Sequence, residues 1–442
     1  MPPIKADASP EKRLFISLLT RDIPLQAAFL DLIDNSVNSA LEPYADRLKS
    51  AKDYLTLLSD KSIKPKVTIK ILVTKTKVEI TDNALGIRTQ TAQDHVFKFG
   101  RSGEDKSNLD RLSVYGIGLK RAIFKLGNRI DIQSDHKEGG FDLHLDVNKW
   151  EHSSEQPWTM PITERKPANK TGTTITASQL HEDVKRRLED GLFLGKLEES
   201  IARTYTFFLS RLVRIELNGK QITGDLVDIG NNRSSSYFSE NNVSCAIAAG
   251  IGKPEGGKFR DRNSGWFVFC NGRAVISADK TSLTGWSQLL PIFQPKHRPF
   301  TGFVFFVSSD PENLPWTTTK ATVNEDSTIW QTAKRKMSLV AKEVITFLDS
   351  RYTDEGTEFS GGDVEHASGG GRISALAAAG SSTKSNFKAP SKKTLPKTTR
   401  VQYDAKIDDI NRIAKYVDKR EMSGSEVGRL TFNYYLTKVV GE

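Results

Sequence analysis

Only two cysteines, Cys245 and Cys270, occur in 442 residues, and they stand in no metal-ligand spacing. That excludes a disulfide framework and a cysteine metal cluster, and free thiols in a reducing compartment are expected. The seven histidines form no H-x-x-x-H pair, which argues against a zinc enzyme. No apolar run approaches the roughly 20 residues that a membrane-spanning helix needs. The segment MPPIKADASPEKR has no apolar signal-peptide core, so the expected location is cytoplasmic with no membrane partner. Neither sign of charge dominates, since 64 Lys and Arg against 54 Asp and Glu leave +10. That balance admits DNA as a partner without requiring it.

What the chain does have is length for two to three domains and an acidic, amide-rich helix near its start. In Phe29–Ala40, FLDLIDNSVNSA, helical spacing puts Leu25, Ala28, Phe29, Leu32 and Ser36 on one side and Asp31, Asn35 and Asn38 on the other. Asp31 and Asn35 are one turn apart and point the same way. A carboxylate so placed can orient and deprotonate a water, and the amide oxygen can ligate magnesium that also holds phosphates. An ordinary amphipathic helix with a wet face fits the same stretch.

Three further pieces follow in order. Lys66–Val73 and Lys77–Thr81 alternate as a hairpin that runs into Asp82-Asn83-Ala84-Leu85-Gly86-Ile87. An Asp at that strand end can accept a hydrogen bond from an exocyclic amine, and Gly86 lets backbone approach a flat ring. An Asx turn closing a strand is the plainer alternative. Residues 97–115 are polar and aperiodic, and read as a long mobile loop. The loop ends in Tyr115-Gly116-Ile117-Gly118-Leu119-Lys120, which opens an apolar-periodic helix. Glycines at a helix start expose backbone N–H groups and the positive dipole end to phosphate, and Lys120 adds a cation. Finally Thr171-Gly172-Thr173-Thr174-Ile175-Thr176 begins a β-branched strand, and the Thr173 hydroxyl can reach the same amine as Asp82.

The order and spacing of these pieces resemble the Bergerat-fold ATPases, the superfamily of gyrase B, heat-shock chaperones, histidine kinases and MutL. The resemblance covers residues 10–180 and implies ATP and Mg2+ as cofactors. It implies Asp31 as general base, Asn35 as metal ligand and Asp82 as adenine-binding residue. It also implies Gly86 in the adenine turn, Gly116, Ile117, Gly118, Leu119 and Lys120 around the phosphates, and Thr173 as second adenine contact. The family has Glu where Asp31 stands. The carboxylate is drawn back by about 1.5 Å, a misplacement that can cost about 100-fold in rate. Ala84 replaces the first glycine of the usual D-x-G-x-G.

The expected fold is α+β. A Bergerat α/β sandwich, with a mixed sheet and helices on one face, occupies residues 1–180. A transducer-like α/β domain occupies residues 181–352. A flexible basic Gly/Ser/Lys linker covers 353–400, and a helical segment covers 401–442. The segment FVFCNGRAVI is similar to the transducer strand-turn-strand of gyrase B and MutL relatives. That domain type often sends a lysine to the γ-phosphate, here Lys320, for which a solvated loop lysine is the alternative. The resemblance to MutL and MORC proteins implies slow ATP hydrolysis, an ATP-dependent homodimer acting as a clamp, and a protein partner encoded separately. A nucleotide-sensing module with negligible turnover is the alternative. The second C-terminal helix, with Leu430, Phe432, Tyr434, Tyr435 and Leu436, needs a partner surface.

Overall fold

The computed structural model describes residues 11–48, 50–99, 112, 116–153, 158–209, 211–225, 227–353, 364, 367–380, 384–390, 401–417 and 422–441. The first sheet is built from β1 (Val67–Val73), β2 (Lys77–Asp82), β3 (Gly127–Asp135) and β4 (Gly140–Asp146). It also contains β5 (Ile162–Arg165), β6 (Gly172–Leu180), β7 (Val213–Leu217) and β8 (Lys220–Ile222). Their order is β5-β4-β3-β6-β2-β1-β7-β8. Only β1 and β7 run parallel, so the sheet is mixed. The side chains alternate as the two-residue strand period requires. Ile69, Ile71, Ile80, Ile130, Ile132 and Ile175 are buried, while Lys70, Leu72, Arg129 and Gln133 on the opposite face are exposed. On the buried side lie the helices Leu25–Leu41 and Gly118–Leu126, packed against each other.

The second sheet contains β9 (Asp228–Glu240), β10 (Val243–Gly252), β11 (Gly265–Cys270), β12 (Arg273–Asp279), β13 (Phe300–Ser308) and β14 (Arg372–Ser374). Its order is β12-β11-β13-β10-β9-β14, with β11 and β13 parallel. Every residue of β11 and β13 is buried, as their continuous apolar runs predict for a strand covered on both faces. The long helix Thr328–Thr353 packs on β9 and β10. Asn271 and Gly272 both adopt positive φ between β11 and β12, the type I′ hairpin expected of Asn-Gly. That turn ties the two lobes together, because the Tyr54 hydroxyl of the Ala51–Ser59 helix donates to the Asn271 carbonyl at 2.8 Å.

Two boundaries differ from expectation. The chain does not leave the first sheet at residue 180, since β7 and β8 return after two helices and extend it beside β1. Strand propensity marks β7 in the sequence, but the partner of a strand is a long-range choice that propensity does not encode. The expected linker also contains ordered structure. β14 pairs with β9, the helix Ala375–Ala379 follows, Ser385 bridges Ser235, and Phe387 is buried against Phe347. A Gly/Ser-rich composition obscured a short strand that gains its order from an existing sheet edge. Met1–Pro390 forms one compact unit and Ser391–Glu442 another. In the second, helix Ile407–Tyr416 starts without a side-chain cap, helix Gly424–Tyr435 is capped by Ser423 with Glu426, and Phe432, Tyr434 and Tyr435 are exposed.

Candidate active site

The Leu25–Leu41 helix is buried on more than its apolar side. Asp31 is 2% exposed and Asp34 1%. The wet face expected for this helix is instead lined by charged partners. Arg121, from the Gly118–Leu126 helix, grips Asp31 with two nitrogens, Nη2 lying 2.7 Å from Oδ1 and Nε bonding Oδ2. The third nitrogen, Nη1, donates to the Thr318 carbonyl at 3.0 Å. Asp34 receives Nε of Arg273 at 2.9 Å, Nζ of Lys320 at 2.6 Å and the Tyr205 hydroxyl at 2.7 Å. Burial pushes the Asp34 carboxyl up, but Arg273, Lys320 and their hydrogen bonds outweigh it and hold it below the ordinary range. The Tyr205 hydroxyl is held well above its ordinary value by burial and by Asp34.

Asp82 is the last residue of β2. It closes β2 directly opposite Thr173 of β6. One oxygen accepts from the Ser36 hydroxyl at 2.6 Å and the other from the Ala84 amide at 2.9 Å. Desolvation nevertheless raises its carboxyl above the usual range, because no cation offsets the loss of water. The Thr173 hydroxyl pairs with Ser134 at 3.0 Å, and Ser134 accepts from the Ile87 amide at 2.8 Å. Gly86 has φ +70, and a β-carbon there would lie 2.0 Å from the Asp135 carbonyl. Only glycine lets the turn close this tightly. Ala84, at the position where the family has glycine, is buried and has no positive φ.

The expected phosphate contacts divide. Gly116 has φ +62, Ile117 is the N-cap residue, and Gly118 and Leu119 begin the helix. Gly118 faces the carboxylate of Asp31, with 3.5 Å between it and a β-carbon built on the glycine. Lys120 points elsewhere. It is fully buried, and its ammonium donates to the carbonyls of Val96 at 2.7 Å and Lys98 at 2.5 Å. In this arrangement Lys120 fastens the helix to the segment before residue 99 and does not present a phosphate cation. Asn35 is half-buried, and its side chain makes no hydrogen bond among the described residues. The loop expected over residues 97–115 lies outside the described residues except 97–99 and 112. Leu112 donates its amide to Asn38 at 3.0 Å.

Residues 23–179 match the sequence model of the histidine kinase-, DNA gyrase B- and HSP90-like ATPases. This stretch is similar to the ATPase domains of the GHKL superfamily. Among curated proteins none matches the chain. The mixed sheet with helices over one face is consistent with the α/β sandwich of that superfamily, and the likeness points to ATP binding. Among the described residues no helix is long and apolar enough to cross a membrane.

The residues that sequence reasoning passed over are Asp34, Arg121, Arg273, Tyr205 and Ser36. Asp34 and Ser36 stand inside the very motif that was read, and Arg121 follows Lys120 directly. Their signal is burial of charge, which a sequence carries only as an acid or base on an otherwise apolar helical face.

Proposed function

We propose that the chain binds Mg-ATP between the central helix and the β2–β6 strand ends, and hydrolyses it slowly under control of its second lobe. The observation that carries this reading is the pairing of Asp82 and Thr173 across adjacent strands above the Gly86 turn. It presents a carboxylate and a hydroxyl side by side next to a flat backbone approach, suited to an adenine amine. Asn35 would hold the magnesium ion, with phosphate and water oxygens completing its preferred oxygen shell. The start of the Gly118–Leu126 helix would face the phosphates.

Asp31 takes the proton of a water as its oxygen attacks the γ-phosphorus, and the bond to the β-bridging oxygen breaks to leave ADP and phosphate. Both Asp31 oxygens are engaged by Arg121. Slow or gated turnover follows from this, and the same observation favours a nucleotide sensor with little turnover as a second reading. Nucleotide-driven homodimerisation, a separate protein partner and DNA contact belong to the proposal by analogy with gyrase B, MutL and MORC proteins.

The deciding experiment is calorimetric titration with Mg-ATP followed by phosphate release at saturation, for wild type and Asp31→Asn. Binding with release that falls at least about 100-fold in the variant supports the hydrolase. Binding with no release in either supports the sensor, and release that survives Asp31→Asn removes Asp31 as the base.

A further inference from the structure

Asp31 and Asp34 lie three residues apart on one helix, and each is joined to the second lobe by a cation. Arg121 spans Asp31 and the Thr318 carbonyl. Lys320 and Arg273 converge on Asp34, and Arg273 Nη1 also donates to the Lys320 carbonyl at 2.9 Å. The segment carrying Thr318 and Lys320 is a small closed loop, with Trp316 bridged to Val323 and the Thr317 amide on the Thr322 carbonyl at 2.9 Å. Lys320 itself has φ +52, a conformation that a residue with a β-carbon disfavours. The loop is thus fastened at its tip by bonds reaching the central helix.

Among the described residues three buried cations, Arg121, Arg273 and Lys320, meet two carboxylates. The cluster carries surplus positive charge where it adjoins the Gly118 helix start. An arriving polyanion would compete with the carboxylates for these cations.

We infer that Arg121 is a positioning residue that couples the phosphates to the second lobe. In the arrangement seen it occupies Asp31 and tethers the loop at Thr318. When a phosphate anion takes the guanidinium, the Asp31 carboxylate and the Thr318 carbonyl are released by a single side-chain movement. The base becomes available only when the loop is free to move. This inference rests on the ATP reading above.

The test is hydrogen exchange in the peptide spanning residues 314–323 of the full chain, with and without a non-hydrolysable ATP analogue plus magnesium. Wild type is compared with Arg121→Gln and Arg121→Lys. Lysine keeps the buried charge but lacks the three-way fork, so a folding defect confined to the glutamine variant does not obscure the result. The analogue should raise exchange in wild type about tenfold. The lysine variant should exchange at the raised rate without nucleotide and change little on adding it. Analogue binding without altered exchange in wild type overturns the coupling and leaves the ATP reading standing. A lysine variant that exchanges like nucleotide-free wild type also overturns it. An analogue that does not bind overturns both.

Discussion

Asp34 is buried and Asp82 half-buried in one lobe, and their surroundings differ in kind. Asp82 has a serine, a backbone amide and a threonine on the opposite strand, with no cation among the described residues. Asp34 has two cations and a tyrosine, and both cations come from the second lobe. The end proposed for adenine is set by strand register and by a turn that only glycine can make. The end proposed for the phosphates is held by ion pairs across lobes, and such pairs can exchange partners. One end is preorganised for recognition, and the other is arranged to respond.

Removing Asp34 should have the largest effect. Asp34→Ala strands Lys320 and Arg273 in the interior, and loss of one partner of a buried pair costs about 3–5 kcal/mol. Denaturant melting should show that loss, and a change under about 1 kcal/mol would mean water reaches the cluster. Asp82→Asn should lower ATP affinity about 10- to 100-fold, the loss of one hydrogen bond to a charged acceptor. It should at the same time stabilise the protein at neutral pH. The sign follows from proton linkage: with its folded pKa raised, Asp82 contributes stability below the ordinary value near 3.8 that is lost as pH rises through the raised value. Asp34 behaves oppositely. Its depressed value contributes stability above about 3.8 that is lost as pH falls through the folded pKa. Melting of Asp82→Asn against wild type from pH 3 to 8 should therefore show a gain that shrinks towards acid, and a constant gain would contradict the assignment. The smallest effect is expected of Thr173→Val, which removes the hydroxyl bond to Ser134. It should cost about 1 kcal/mol, with a larger proportional loss in ATP affinity if Thr173 also meets the ligand.

The preorganised end was the legible one. Asp82, Gly86 and Thr173 announce themselves because strand-end acids, obligatory glycines and β-branched runs are local signals. The hairpin turn at Asn271-Gly272 was legible for the same reason. At the responsive end the sequence points to Asp31, Asn35 and Lys320 but not to their partners. The sequence leaves Lys320 between a phosphate contact and a solvated lysine, and in the structure its ammonium donates to Asp34. Lys120 was read as a phosphate cation, yet the carbonyls of Val96 and Lys98 hold it. In each case the chain specifies the charge, while tertiary packing decides which opposite charge or carbonyl it meets. The two misplaced boundaries have the same origin, since strand pairing between residues 67 and 213, or 230 and 372, is written in no local window.

The parallel pairing of β1 with β7 also bears on the order in which the chain can fold. Val67–Val73 leaves the ribosome long before Val213–Leu217 does, so during synthesis it waits with one hydrogen-bonding edge unfilled. The nucleotide cleft, built largely from residues before 180, can therefore be outlined early. Its sheet is complete only after the chain has passed through two helices and come back. The β12 arginine and the Lys320 loop that anchor Asp34 arrive later still, so this acid of the central helix meets its cations only once the second lobe has been made.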